Sequence, residues 1–190
     1  MLEQSLDYFL ADKQGADLSD TLIAEACQTL RTNREEYLVQ IGNETIISKL
    51  VEAASLWLSP DYELRKLALA AAPETTGFPC EVLATGLDAC FSEWTQENFF
   101  GLLGQEFGDA TRLQSFGSLS SHSLAMVHGP QLIAHVAPGN LPVPVFQSIA
   151  FGLLLRSAQF VKCASGKSLL PRLFGHTLHY VDPGLASALE

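Results

Sequence analysis

The stretch "HVAPGNLPVPVFQSIAFGLLLRSAQFVKCASGKSLLPRLF", residues 135–174, decides the fold. It opens inside a short apolar run, "QLIAHVA", whose composition predicts a strand. "VPVFQSIAFGLLLR" follows, apolar nearly all round, and predicts a helix covered on several sides. "AQFVKCA" predicts a second buried strand. "KSLLPRLFGHTLH" predicts another helix, with Pro171 in its first turn or at a kink. Strand, helix, strand, helix is the order of a doubly wound α/β domain. Between the first strand and its helix, Leu141 and Val143 each precede a proline and are pushed away from helical conformation. Residues 138–143 therefore read as a stiff extended bend, with Pro144 starting the helix. Asn140 stands on that bend at the C-terminal end of a strand, where open α/β sheets place ligands. The plainer reading is that Gly139 and Asn140 only make a turn, since both tolerate positive φ.

Working outward, "LAMV" (residues 124–127) and "QLIAHVA" flank His128-Gly129-Pro130, as two strands joined by a tight turn would. Residues 108–121, rich in Gly and Ser, read as a connection. Downstream, Gly166-Lys167-Ser168 invites comparison with a phosphate loop, but that motif needs a glycine five residues earlier, and Val161 stands there. The segment is better read as a strand-to-helix turn. Lys162, at the end of a buried-looking strand, has a plain reading as a surface lysine whose stem lies along the apolar run.

Residues 1–120 read as a helical region. Leu2, Leu6, Phe9 and Leu10 fall at helical spacing, as do Leu22 to Leu30 and Ile46 to Leu58. In "SPDYELRKLALAAAP", Ser59 is the expected N-cap, Pro60 the first helical residue and Pro73 the stop. Two amphipathic helices are expected at about 80–93 and 95–107, the second capped by Thr95. Residues 121–190 then form the first part of the α/β unit, with Asp182 capping a last segment at "DPG".

Composition narrows the class. The 190 residues are 47% hydrophobic and 17% charged, with a net charge of −10, which describes a packed globular chain and argues against a general nucleic-acid binder. "LPVPVFQSIAFGLLL" is interrupted by Gln147, Ser148 and two prolines, so no membrane span is expected. The N-terminus lacks a basic region followed by an apolar core, so no signal peptide is expected, and a cytoplasmic location follows. Cys27, Cys80, Cys90 and Cys163 show no C-x-x-C spacing and read as reduced, core-filling thiols. Cys163 should face away from Lys162 along the strand. His176 and His179 share a helix face, and His135 is a conceivable third ligand, but no Cys or carboxylate sits at supporting spacing, so no metal site is assigned. The acidic residues around Glu35, Glu36, Asp88 and Glu93 read as solvated faces.

The 135–174 stretch resembles the cofactor-domain segment of the aldehyde dehydrogenase superfamily, with its Pro-x-Asn-x-Pro bend, buried helix and strand ending in Lys. "MVHGPQLIAHVAPGNLPVP", "LRSAQFVKCAS" and "DYELRKLALAAAPETTGFPCEVLATGLDACF" are most similar to its acyl-CoA reductase branch, the LuxC family of bacterial bioluminescence and its non-luminous relatives. The resemblance implies that Asn140 donates its amide to the carbonyl oxygen of an acyl thioester, where charge develops in the transition state. It assigns Lys162, Ser165, Ala137 and Pro138 to a dinucleotide, with Lys162 on the adenosine ribose. NAD-preferring relatives often carry a glutamate at the position of Ser165. Serine there, with Lys167 nearby, implies NADPH, because neither repels a 2′-phosphate.

The substrate implied is an acyl-CoA or acyl-protein thioester, reduced to a fatty aldehyde through a thioester on a cysteine. None of the four cysteines fits that nucleophile, so the chain is expected to be the N-terminal part of a longer enzyme, inactive alone, with a homo-oligomer of that full-length enzyme left open. Two other readings stand beside this one: a non-catalytic helical partner or scaffold with a vestigial nucleotide-binding remnant, and a stand-alone nucleotide-binding module.

Overall fold

The computed structural model describes residues 6–13, 18–139, 143–166 and 168–190. Helices α1 (Asp20–Asn33), α2 (Asn43–Leu58), α3 (Glu63–Thr76), α4 (Cys80–Ser92) and α5 (Gln96–Phe107) come first. A hairpin of β1 (Gly117–Ser120) and β2 (Ser123–Ala125) follows, then β3 (Leu132–Val136), α6 (Val143–Leu154), β4 (Ala158–Lys162), α7 (Leu169–Val181) and the short α8 (Pro183–Ala186). The fold is mixed α/β and mostly helical, with small sheets.

Local chemistry explains most boundaries. Ser19 accepts from the Leu22 amide to start α1, and Thr95 accepts from the Asn98 amide at 3.1 Å to start α5. Asp182 accepts from the Leu185 amide at 3.0 Å, with Pro183 in the first turn of α8. The expected bounds of α3 need correction. It is capped by Tyr62 rather than Ser59, leaving Pro60 in the preceding turn, and it runs through Pro73 to Gly77, whose φ of 80° ends it. Proline near a C-terminus removes one helix hydrogen bond, yet the helix does not stop until a residue can turn left-handed.

A second correction concerns pairing. The strand around Leu124 does not form a hairpin with β3. It pairs antiparallel with β1, inside the Gly/Ser-rich stretch expected to be a plain connection. Ser118 and Ser120 flank a register shift there, and short serine-rich strands carry little of the apolar alternation by which strands are recognised.

β3 and β4 pair in parallel, Leu132 opposite Ala158 and Val136 opposite Lys162, with α6 as the crossover. Residues 188–190 add a third parallel segment beyond β4: the Gln159 amide donates to the Ala188 carbonyl, and the Glu190 amide to the Gln159 carbonyl. Gln159, fully buried, turns toward α6, where its Nε2 donates to the Ile149 carbonyl at 3.1 Å. Its Oε1 lies 2.8 Å from His135 Nε2. A Cβ at Gly152 would stand 2.2 Å from that Oε1. Gly152→Ala is therefore expected to cost about 1–3 kcal/mol as an overpacked core substitution, read by urea unfolding. A cost under about 0.5 kcal/mol would show that the amide moves aside freely.

The core lies where α2, α4, α6 and α7 meet. Trp57, Phe91, Phe146 and Phe174 are wholly buried; Phe91 and Phe146 touch each other and both of the other rings, and Trp94 and Phe99 extend the cluster. α6 is largely buried, as its all-round apolarity requires. Among the described residues no helix is long and apolar enough to cross a membrane.

Candidate functional site

A cavity of about 360 Å³ opens at the C-terminal end of β4. Its walls come from the end of β4 and the loop after it, the first half of α7, the N-terminal segment around Phe9 to Lys13, the start of α1, and the last two residues, with Ile149 of α6 behind them. Phe160, Leu18 and Ile23 make part of an apolar lining, and Lys13, Lys162, Arg172 and Glu190 supply charge. The volume falls within the range of about 300–1,000 Å³ common to small-molecule sites.

Lys162 is exposed at this opening because burial falls along β4, from buried Ala158 and Gln159 through half-buried Phe160 and Val161. Its backbone carbonyl accepts the Ala137 amide at 3.0 Å, which ties the ends of β3 and β4 together. Cys163 and Ala164 follow, and Gly166 turns the chain at φ 68° before Ser168 leads into α7. Ser168 makes no side-chain cap. First-turn amides of such a helix attract anions.

Cys163 corrects an expectation. The strand ends at Lys162, so strand alternation no longer separates the two side chains, and both line the cavity. Burial pushes the Cys163 thiol pKa up, and the Lys162 ammonium opposes this only in part. Nor are the four cysteines uniformly buried. Cys90 is, with its thiol raised by burial to about 11, whereas Cys80 is exposed and Cys27 half-buried.

Of the other residues assigned to the cofactor, Ser165 is exposed on the turn after β4. Ala137 is buried, and Pro138 borders a small crevice beside Thr75 and Thr76; neither lines the large cavity. Asn140 and Lys167 lie outside the described residues. The three histidines have separate partners: His135 meets Gln159, His176 meets Asp12 at 2.9 Å, and the His179 ring lies tilted against Tyr8.

The N-terminal wall carries residues that the sequence did not single out. Asp12, its side chain fully buried, accepts the amides of Tyr8 and Phe9 and faces His176 and Arg172 on α7. Glu190 accepts the Leu10 amide; burial raises its carboxyl pKa and that hydrogen bond opposes the rise. These partners stand up to 180 residues apart, and no local pattern announces such contacts.

The model of the acyl-CoA reductase (LuxC) family matches residues 38–189. The chain belongs to the acyl-CoA reductase (LuxC) family. The match takes in α2 through α8, hence Lys162 and the loop into α7, and leaves the Phe9–Lys13 wall outside it. No curated protein matches the chain.

Proposed function

We propose that this acyl-CoA reductase family member binds the adenosine end of NADPH at the end of β4 and contributes an oxyanion donor to reduction of a long-chain acyl thioester. On this reading β3-α6-β4-α7 begins a doubly wound dinucleotide domain of aldehyde dehydrogenase type. The observation that carries it is the cavity at the C-terminal end of β4, with Lys162 at its mouth and the uncapped start of α7 beside it.

The lining fits such a group in chemical kind. Apolar surface from Phe160, Ile23 and Pro171 suits a base, and Lys162 can donate to ribose hydroxyls. Glu190 is the discordant element, since a carboxylate repels a 2′-phosphate; burial raises its pKa, and the Leu10 amide opposes that rise. NADPH would supply the hydride. Asn140 would hold the carbonyl oxygen as negative charge develops on it. The acyl-accepting cysteine belongs to this proposal as a residue outside these 190. Cys90 and Cys163 have raised thiol pKa values, which disfavours the thiolate, and Cys27 and Cys80 do not line the cavity.

The test is NADPH and NADH titration of the 190-residue chain, wild type against Lys162→Ala. Loss of a charge-assisted hydrogen bond, about 1.5–3 kcal/mol, would weaken NADPH binding by roughly 10- to 150-fold. No saturable binding, or binding indifferent to Lys162→Ala, defeats the assignment. In an active enzyme containing this chain, Asn140→Ala is expected to lower turnover by about 10²–10³ while sparing NADPH affinity. Equal losses in both would remove the oxyanion role. The rival, a non-catalytic partner, draws on the exposed Phe116, Leu119 and Leu124 at the hairpin, and expects neither effect.

A further inference from the structure

A second cavity, of about 210 Å³, opens at the opposite end of the parallel pair, where the chain enters β3 and β4. The length of β4, on the order of 15 Å, separates it from Lys162. Its lining includes Arg34, Arg156, His128, Gln40 and Gln114, and no carboxylate. In a chain with 21 acidic residues against 11 Lys and Arg, two guanidiniums without an acid in the same wall is an unusual concentration.

Arg156 is the centre of the argument. It is only 6% exposed. Its Nε donates to the Ile41 carbonyl at 2.9 Å, Nη1 to the Leu154 carbonyl at 3.2 Å, and Nη2 to Asn43 Oδ1 at 2.7 Å. All three acceptors are neutral, and among the described residues no carboxylate pairs with it. A guanidinium carries five N–H donors, so these bonds leave two hydrogens for another acceptor. Burial pulls its pKa down with no opposing charge. The backbone adds a second sign: Arg156 has φ 55°, and among the described residues the other positive values belong to glycines. A non-glycine residue held in that conformation is strained, and such strain clusters at ligand-binding sites.

Arg34 completes the pair. Its Nε donates to the Arg156 carbonyl at 2.6 Å, while its guanidinium also meets Glu35, whose side chain is well exposed and screened by solvent. A buried ion with only neutral partners is costly, and a bound opposite charge offsets that cost.

We infer that this cavity binds a small oxyanion, a carboxylate or a phosphate, between the guanidiniums of Arg34 and Arg156. The inference stands apart from the dinucleotide site and survives if that reading fails. The experiment is ¹⁵N-NMR titration of the 190-residue chain with inorganic phosphate and, separately, with butyrate, each against sodium chloride at equal ionic strength. Saturable shifts at the Val127, His128 and Gly129 amides are expected, and the anion that saturates identifies the source chemistry. Arg34→Gln should weaken binding by tenfold or more, as loss of a charge-assisted contact does. Arg156→Gly, which removes the guanidinium while relieving the backbone, should do the same. Shifts no larger than those with chloride overturn the inference, as does saturable binding that both variants retain.

Discussion

Trp57→Ala is expected to destabilise the protein by about 3–5 kcal/mol, the range for truncating a buried aromatic. Trp57 is wholly buried on α2 and stacks on Phe91 with ring centres 5.5 Å apart; Phe146 lies 6.1 Å away. Its indole N–H donates to Thr177 Oγ1 at 2.9 Å, an atom that also receives the Tyr62 hydroxyl. The three remaining rings, on α4, α6 and α7, cannot close around a missing indole without moving helices, so most of the cavity would persist. Against a typical domain stability of about 5–15 kcal/mol, the loss is a large share. Urea unfolding followed by Trp94, the other tryptophan, measures it. Thr177→Val isolates the polar part: it strands the buried indole N–H, for about 1–3 kcal/mol. The two changes share a contact, so their sum should exceed the double variant. A Trp57→Ala cost below about 1.5 kcal/mol would mean that the cluster repacks and is not the centre of the core.

What the sequence made legible is what local chemistry controls. Thr95 and Asp182 are short polar side chains before an apolar period, and both cap helices as expected. The all-round apolarity of residues 143–154 could only be a covered helix, and the fall from "AQFV" to Lys162 marked the strand end that opens the large cavity. Misreadings came where a local rule met a stronger neighbour. Pro73 looked like a stop, but a helix can tolerate it near its end when Gly77 lies a turn further on. The hairpin at 117–125 was hidden because its strands hold serines in place of an apolar alternation. Cys163 was misjudged because alternation was carried one residue past the strand. The walls of both cavities were beyond reach for a different reason. Leu10 with Glu190, and Arg34 with Arg156, are joined only after the chain has folded back on itself.

Asp12→Ala should detach the N-terminal wall of the large cavity. The carboxylate is fully buried, accepts the Phe9 amide at 2.8 Å and the Tyr8 amide at 2.9 Å, and lies 2.9 Å from His176 Nε2 and 3.5 Å from Arg172 Nε. Removing one member of a buried charged pair costs about 3–5 kcal/mol. The segment can escape that cost by leaving the surface, so the loss is expected to appear as local opening more than global unfolding. Hydrogen exchange at Tyr8 to Lys13 should accelerate while α2 and α4 stay protected. Gly175→Ala offers an independent route to the same state, since a Cβ there would sit 2.9 Å from the Phe9 ring without touching any charge. If both variants open the segment, the ion pair and the ring contact act as one latch on α7. Faster exchange in Gly175→Ala alone would assign the latch to Phe9 and reduce Asp12 to a cap on its own turn. Unchanged protection in both would show that the wall is held elsewhere, with Glu190 and the Leu10 amide as the remaining tie.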